Sequence, residues 1–303
     1  METEIKERGR RSYREGKHRL RSIRWMLFWI VAVQTAVTGV LALVSSFFSA
    51  PPPGWVQILL IELLAYLIPL SLYARENRIL TAKTARERFG LCPLKRYLWP
   101  FVILGGVGCQ FVMIFLNLPV NLLLGQVDEV LPQTVPELLA SLIAVAVIPA
   151  FFEEFLFRGI VYGVMKEFNT RGALLFTTVM FALMHGSVSG FLGYLFLGWI
   201  LIVVLSRTGS LYACMAFHLA NNITALLLSW FSYRLSYLPG TTICLFVLGI
   251  LAAGLGYLGI VKMTKPKPET TLLETRELLG QSFLSLPIIL CLICMISVWM
   301  IGG

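Results

Sequence analysis

Three polar groups interrupt apolar stretches of this chain: Glu153-Glu154-Phe-Leu-Phe-Arg158, Phe181-Ala-Leu-Met-His185 and His218-Leu-Ala-Asn-Asn222. Ionisable side chains in hydrocarbon are costly and ordinarily line a cavity where they act. Two of the chain's three histidines belong to this set. Glu154 and Arg158 stand four residues apart, carboxylate first, so they share a helix face and can pair. Pairing reduces the cost of burying either charge. Glu153 is turned about 100° from Glu154 around a helix. It is the freer carboxylate, and a general base that takes a proton from water needs that freedom. His218 and Asn222 are also four apart and could together polarise a carbonyl and hold the oxyanion formed from it.

An intramembrane protease built on two aspartates is excluded, because the single aspartate, Asp128, falls in a loop between apolar stretches. A serine protease of the Gly-x-Ser-Gly kind finds only Gly186-Ser-Val-Ser189-Gly190, with the wrong glycine spacing. No His-Glu-x-x-His string is present. Glu153, His185 and His218 could nevertheless supply three metal ligands from three helices, so a metal-assisted variant stays open at this point, although no metal ligand is assigned and no cofactor is expected. Each element taken alone also has a structural reading: the Glu–Arg pair as packing glue, a buried histidine as a partner for backbone. Glu62, alone in its apolar span, is read as structural or interfacial. Gln110, Asn117 and Asn121 are read as hydrogen-bonders between helices.

These residues need helices to position them. Apolar residues make up 57% of the 303 and charged residues 14%, with a mean hydropathy of +0.80. Soluble domains are nearer 45–50% and about 25%, so the chain is expected to be an all-α polytopic membrane bundle around an intramembrane polar cavity. Apolar runs long enough to span fall near 25–48, 54–74, 98–124, 136–165, 172–186, 190–206, 209–231, 239–261 and 283–301. The run at 172–186 is short, which makes the expected count eight or nine. Depth ties the motifs together. Counted inward from Lys166, Arg171 and Arg207, residues Glu153, His185 and His218 lie about 20, 21 and 17 Å deep in straight helices. Three helices thus deliver polar groups to nearly one height.

Charge sets the orientation. The first 24 residues carry nine Lys/Arg, and 75–97 carry seven. The loops on the opposite side, at 49–53, 125–135, 187–189 and 232–238, contain one basic residue, Arg234. The positive-inside rule then places the N-terminus in the cytoplasm. The net charge of +9 is read as this topology signal plus attraction to the lipid bilayer, not as a nucleic-acid interface. The first apolar run is too long for a signal peptide and is read as an uncleaved anchor. Residues 1–24 form a basic cytoplasmic segment. Residues 25–97 hold two spans and a basic, partly amphipathic surface stretch at 75–97. Residues 98–261 form the core, and 262–303 form a linker and a last span. The six cysteines, including Cys291 and Cys294 in a CxxC, are read as packing residues.

The order EExxxR, FxxxH, HxxxN over 153–222 resembles the CPBP family, which comprises CAAX prenyl endopeptidases and bacteriocin-processing (Abi) membrane proteases. The resemblance implies a helical bundle with a conical cavity and a glutamate endopeptidase in a membrane, with Glu153 activating water aided by His185. It implies that His218 and Asn222 stabilise the oxyanion, while Glu154, Arg158 and Phe181 support the site. The expected partner is a membrane-associated or lipidated peptide or protein, and a bacterial plasma membrane is the expected setting. Peptide-pheromone or bacteriocin maturation is then a more fitting task than prenyl-protein processing. Two other classes remain in view. One is a silent scaffold or immunity protein that uses the same cavity for binding. The other is a proton-coupled transporter, for which no inverted repeat is evident.

Overall fold

The computed structural model describes residues 2–47, 52–76, 89–124, 132–234, 239–266 and 268–302. Of 2–14, 232–234, 239–241 and 298–302 it describes only the backbone. Asp128 and most of the basic stretch at 75–97 lie outside the described residues. Among the described residues there are ten α-helices: α1 (Glu2–Phe47), α2 (Gly54–Glu76), α3 (Trp99–Leu124), α4 (Val135–Met165), α5 (Thr170–Met184), α6 (Phe191–Thr208), α7 (Leu211–Arg234), α8 (Pro239–Met263), α9 (Thr275–Phe283) and α10 (Leu286–Gly302). No strand occurs among the described residues beyond an isolated bridge between Asn169 and Thr271. The chain is an all-α polytopic membrane bundle.

All nine apolar runs read from the sequence form helices. Among the described residues seven (α1–α4 and α6–α8) are long and apolar enough to cross a membrane, against the eight or nine expected; the count reaches eight if α9 and α10, bent by 63° to each other, are one broken span. The short run is α5, only 15 residues long. The basic N-terminal segment and the first span are one continuous helix rather than two elements. The assumption of unbroken helices fails in α4. Two stretches of it, Leu142–Val147 and Phe155–Val161, are wound as π-helix. A π turn inserts one residue into the α repeat and re-aims every side chain beyond it, and such turns gather at functional sites.

Local chemistry sets the helix ends that matter. Thr134 caps α4 by accepting from the Glu137 N–H at 3.3 Å, and Glu137 returns the favour to the Gln133 N–H at 2.7 Å, a reciprocal cap. Asn169 caps α5 by accepting from Gly172 N at 2.7 Å. α5 stops at Met184 with His185 as its C-cap, and Gly186 then takes φ +63°, a conformation that L side chains rarely hold. α6 ends the same way at Gly209.

α4 is the central helix and touches α1, α2, α5, α6 and α7. α3 packs on α7 and α8 through glycines: a Cβ on Gly106 would collide with the Phe217 carbonyl, and one on Gly108 with the Ala253 backbone. Lipid supplies no hydrophobic drive between helices, so such close backbone approach is how they gain contact. Asn117 behaves as its sequence suggests, accepting from Gly193 N at 2.8 Å to join α3 to α6. The C-terminal part folds back on the bundle. Thr170 N donates to the Thr270 carbonyl, Leu272 N to the Phe168 carbonyl and Asn169 Nδ2 to the Leu273 carbonyl, at 2.7–2.9 Å. α10 then lies against α1.

Candidate active site

The two adjacent glutamates of α4 have opposite surroundings. Glu154 is fully buried. Its Oε1 accepts from Arg158 Nη1 at 2.9 Å and from His218 Nδ1 at 2.9 Å. Arg158 lies within the π turn Phe155–Val161. Its Nη2 donates to the Gly198 carbonyl of α6 at 3.1 Å, and its guanidinium lies 4.2 Å from the centre of the Phe181 ring. Phe181 is wholly buried and also meets Phe157, His185 and His218. Glu154, Arg158, Phe181 and His218 thus form one buried knot joining α4, α5, α6 and α7. A buried ion pair of this kind is costly unless further hydrogen bonds satisfy it; the knot supplies them to Glu154 Oε1 and to Arg158 Nη1 and Nη2, while Glu154 Oε2 and Arg158 Nε stay buried without a partner.

Glu153 points elsewhere. It is buried, and its Oε2 has no hydrogen-bond partner. The nearest cation-capable group is His185 Nε2, at 3.6 Å. The His185 ring is held firmly: Nδ1 lies 2.7 Å from the Phe181 carbonyl, and the ring stacks on Tyr194 at 3.9 Å. A carbonyl can only accept, so Nδ1 carries the proton. The neutral ring then presents a lone pair at Nε2. Two acceptors, a carboxylate and an imidazole nitrogen, therefore face each other 3.6 Å apart and need a donor between them.

They face into a cavity of about 120 Å³ lined by Gln34, Glu62, Tyr66, Glu153, Phe157, Met184 and His185. Liquid water takes about 30 Å³ per molecule, so a few waters fit. Glu62 is the main departure from the sequence reading. It does not stand alone; α2 brings it, with Tyr66 one turn later, to the same cavity as Glu153. Its Oε2 is buried and without a hydrogen-bond partner. The Glu62/Tyr66 spacing of four was the signal that could have found this polar face.

His218 and Asn222 differ from the expectation of a shared face on the cavity. His218 is turned to Glu154, and Asn222 Nδ2 reaches the Val145 carbonyl, in the first π turn, at 3.4 Å. Neither lines the 120 Å³ cavity. The three-ligand metal set does not assemble either: among the described residues no three His, Cys, Asp or Glu side chains stand close enough to hold an ion, and His218 Nδ1 is committed to Glu154. All six cysteines are free thiols.

Residues 135–224 match the family model for type II CAAX prenyl endopeptidases of the Rce1-like kind. The matched stretch runs from the start of α4 into α7 and contains all three motifs. It agrees with the resemblance to the CPBP family and supports a CAAX-type protease within an integral membrane protein. Neither the curated proteins nor the solved structures yielded a match.

Proposed function

We propose that the chain is an intramembrane endopeptidase in which Glu153 and His185 activate a water molecule. The observation that carries this reading is the pair itself, an unpartnered Glu153 oxygen 3.6 Å from His185 Nε2 in a small polar cavity. A water between them donates one hydrogen to each acceptor, which turns its own lone pair outward to an approaching carbonyl. As the new C–O bond forms, Glu153 takes the water's proton and later returns it to the leaving amine. The Glu154–Arg158–His218 knot holds α4 and α7 in register. His218 Nε2 donates to the developing oxyanion when the ring carries both protons, because Nδ1 already donates to Glu154. Asn222 joins it by giving up its long bond to Val145. The substrate is a membrane-associated or lipidated peptide, the membrane a bacterial plasma membrane, and the N-terminus cytoplasmic.

The test is cleavage of a membrane-peptide panel by detergent-purified protein, beside Glu153→Gln and after exhaustive chelation. Cleavage lost in the variant and kept under chelation supports the reading. Cleavage lost under chelation and restored by zinc overturns it in favour of a metal centre. A Glu153→Gln protein that cleaves like wild type removes Glu153 from the chemistry.

A further inference from the structure

A second recess, of about 290 Å³, lies where α1 passes the junction of α9 and α10. Arg21, Arg24, Trp25, Ser285, Leu286 and Pro287 line it. Arg21 and Arg24 are three residues apart, a spacing that sets like charges side by side on one helix face. No acidic side chain lines the recess. Arg24 Nε donates to the Leu20 carbonyl at 3.0 Å and Nη1 donates to the Gln281 carbonyl. These carbonyls fix the direction of the guanidinium without cancelling its charge. Arg21 is exposed and has no hydrogen bond or ion pair with any described residue. Among the described residues the recess is therefore a cationic pair without a counter-ion.

Its position narrows the anion. α1 changes there from a basic segment to an apolar one, starting at Trp25. On the other wall the polar α9 turns by 63° into the apolar α10. Both changes mark the membrane–water boundary, where tryptophan is favoured. Down α10 from the recess, Leu286, Ile289 and Ile293 expose one apolar face, 61, 39 and 53% accessible, and Trp29 follows Trp25 one turn along α1. A free anion would occupy only the cationic half of this surface. A ligand with an anionic head and an apolar tail matches both halves.

We propose that this recess binds an anionic phospholipid, with its phosphate between Arg21 and Arg24 and an acyl chain along the Leu286–Ile293 face. The bound lipid offsets one of the two arginine charges and joins α1 to the α9–α10 bend. Basic pockets between helices at the membrane surface are suited to such headgroups.

The experiment is native mass spectrometry of the full chain, delipidated and then titrated with phosphatidylglycerol or phosphatidylcholine. It does not depend on protease activity. Wild type should retain phosphatidylglycerol over phosphatidylcholine, and Arg21→Glu should lower that preference about thirtyfold, since each charge at such a surface contributes about 1 kcal/mol and reversal changes the charge by two. Arg21 is exposed and makes no hydrogen bond or ion pair with a described residue, so its replacement should leave the fold intact. Arg96→Glu makes the same charge change on an exposed residue outside the recess and should leave the preference intact. Equal retention of the two lipids by wild type overturns the proposal, as does equal loss in both variants. Displacement of the lipid by millimolar inorganic phosphate identifies a free-anion site and overturns the lipid assignment.

Discussion

At the scale of the residue, two neighbouring glutamates have been given separate tasks. Glu154 is tied through Oε1 to Arg158 and His218, with only Oε2 left over, while Glu153 turns its unpartnered Oε2 toward a cavity. The two Gln variants should therefore behave differently. Glu154→Gln leaves a buried arginine without its counter-charge, and breaking such a pair costs about 3–5 kcal/mol, so the melting temperature in detergent should fall sharply. Glu153→Gln should melt like wild type yet cleave more slowly by about 10²–10⁴-fold, the usual contribution of a proton-transferring side chain. Equal melting of the two variants would contradict the division. Glu62→Gln should keep cleavage within about tenfold of wild type if Glu153 alone carries the proton; a larger loss in kcat would bring Glu62 into the chemistry. The motif residues are legible in the sequence because charge in an apolar run is conspicuous. The place of Glu62 is legible only in part: its spacing of four from Tyr66 marks a polar face, but Glu153 and His185 reach the same cavity from distant segments.

At the scale of the element, α4 decides the geometry. Residue spacing yields the Glu154–Arg158 pair correctly, and the matched depths correctly suggest that three helices converge. Spacing cannot yield phase, however, because the two π turns shift it. In the structure His218 turns to Glu154, and Asn222 to the Val145 carbonyl within the first π turn, rather than both opening on the cavity. Deleting Ala144 should remove the extra residue of the first π turn and rotate the two halves of α4 by about 100° relative to each other. Helix content by circular dichroism should stay the same while cleavage is lost. Retained cleavage would show that the phase of α4 is unimportant. The α3–α8 contact allows a similar contrast. Gly108→Leu meets the Ala253 backbone, whereas a Cβ on Gly254 meets nothing within 4 Å. The first should cost upward of about 1–3 kcal/mol through overpacking, and Gly254→Ala should be neutral or stabilising by about 0.5–1 kcal/mol, as read from thermal melts.

At the scale of the whole molecule, the chain closes on itself. The segment before α9 is stitched to the turn between α4 and α5, and α10 returns to α1. Nothing in the composition of 262–303 announces this; the sequence shows a basic linker and a last apolar run, and the clasp depends on backbone groups that carry no residue signature. Asn169 serves both ends, capping α5 and donating to the Leu273 carbonyl. Asn169→Ala should cost about 1 kcal/mol, the usual value of a lost cap, and should speed proteolysis between residues 264 and 274. Unchanged proteolysis would mean that the backbone bonds alone hold the clasp.

The local pairing of Glu154 with Arg158 bears on biosynthesis. A ribosome delivers α4 to the membrane before α6 and α7 exist, so neither the Gly198 carbonyl nor His218 can yet receive these charges. An arginine at the centre of an inserting helix costs about 2.5–3.5 kcal/mol. A carboxylate one turn away on the same helix neutralises it from the moment that turn winds. The pair thus lets a polar segment enter the bilayer ahead of its tertiary partners, and the later helices inherit a site that was made insertable within a single span.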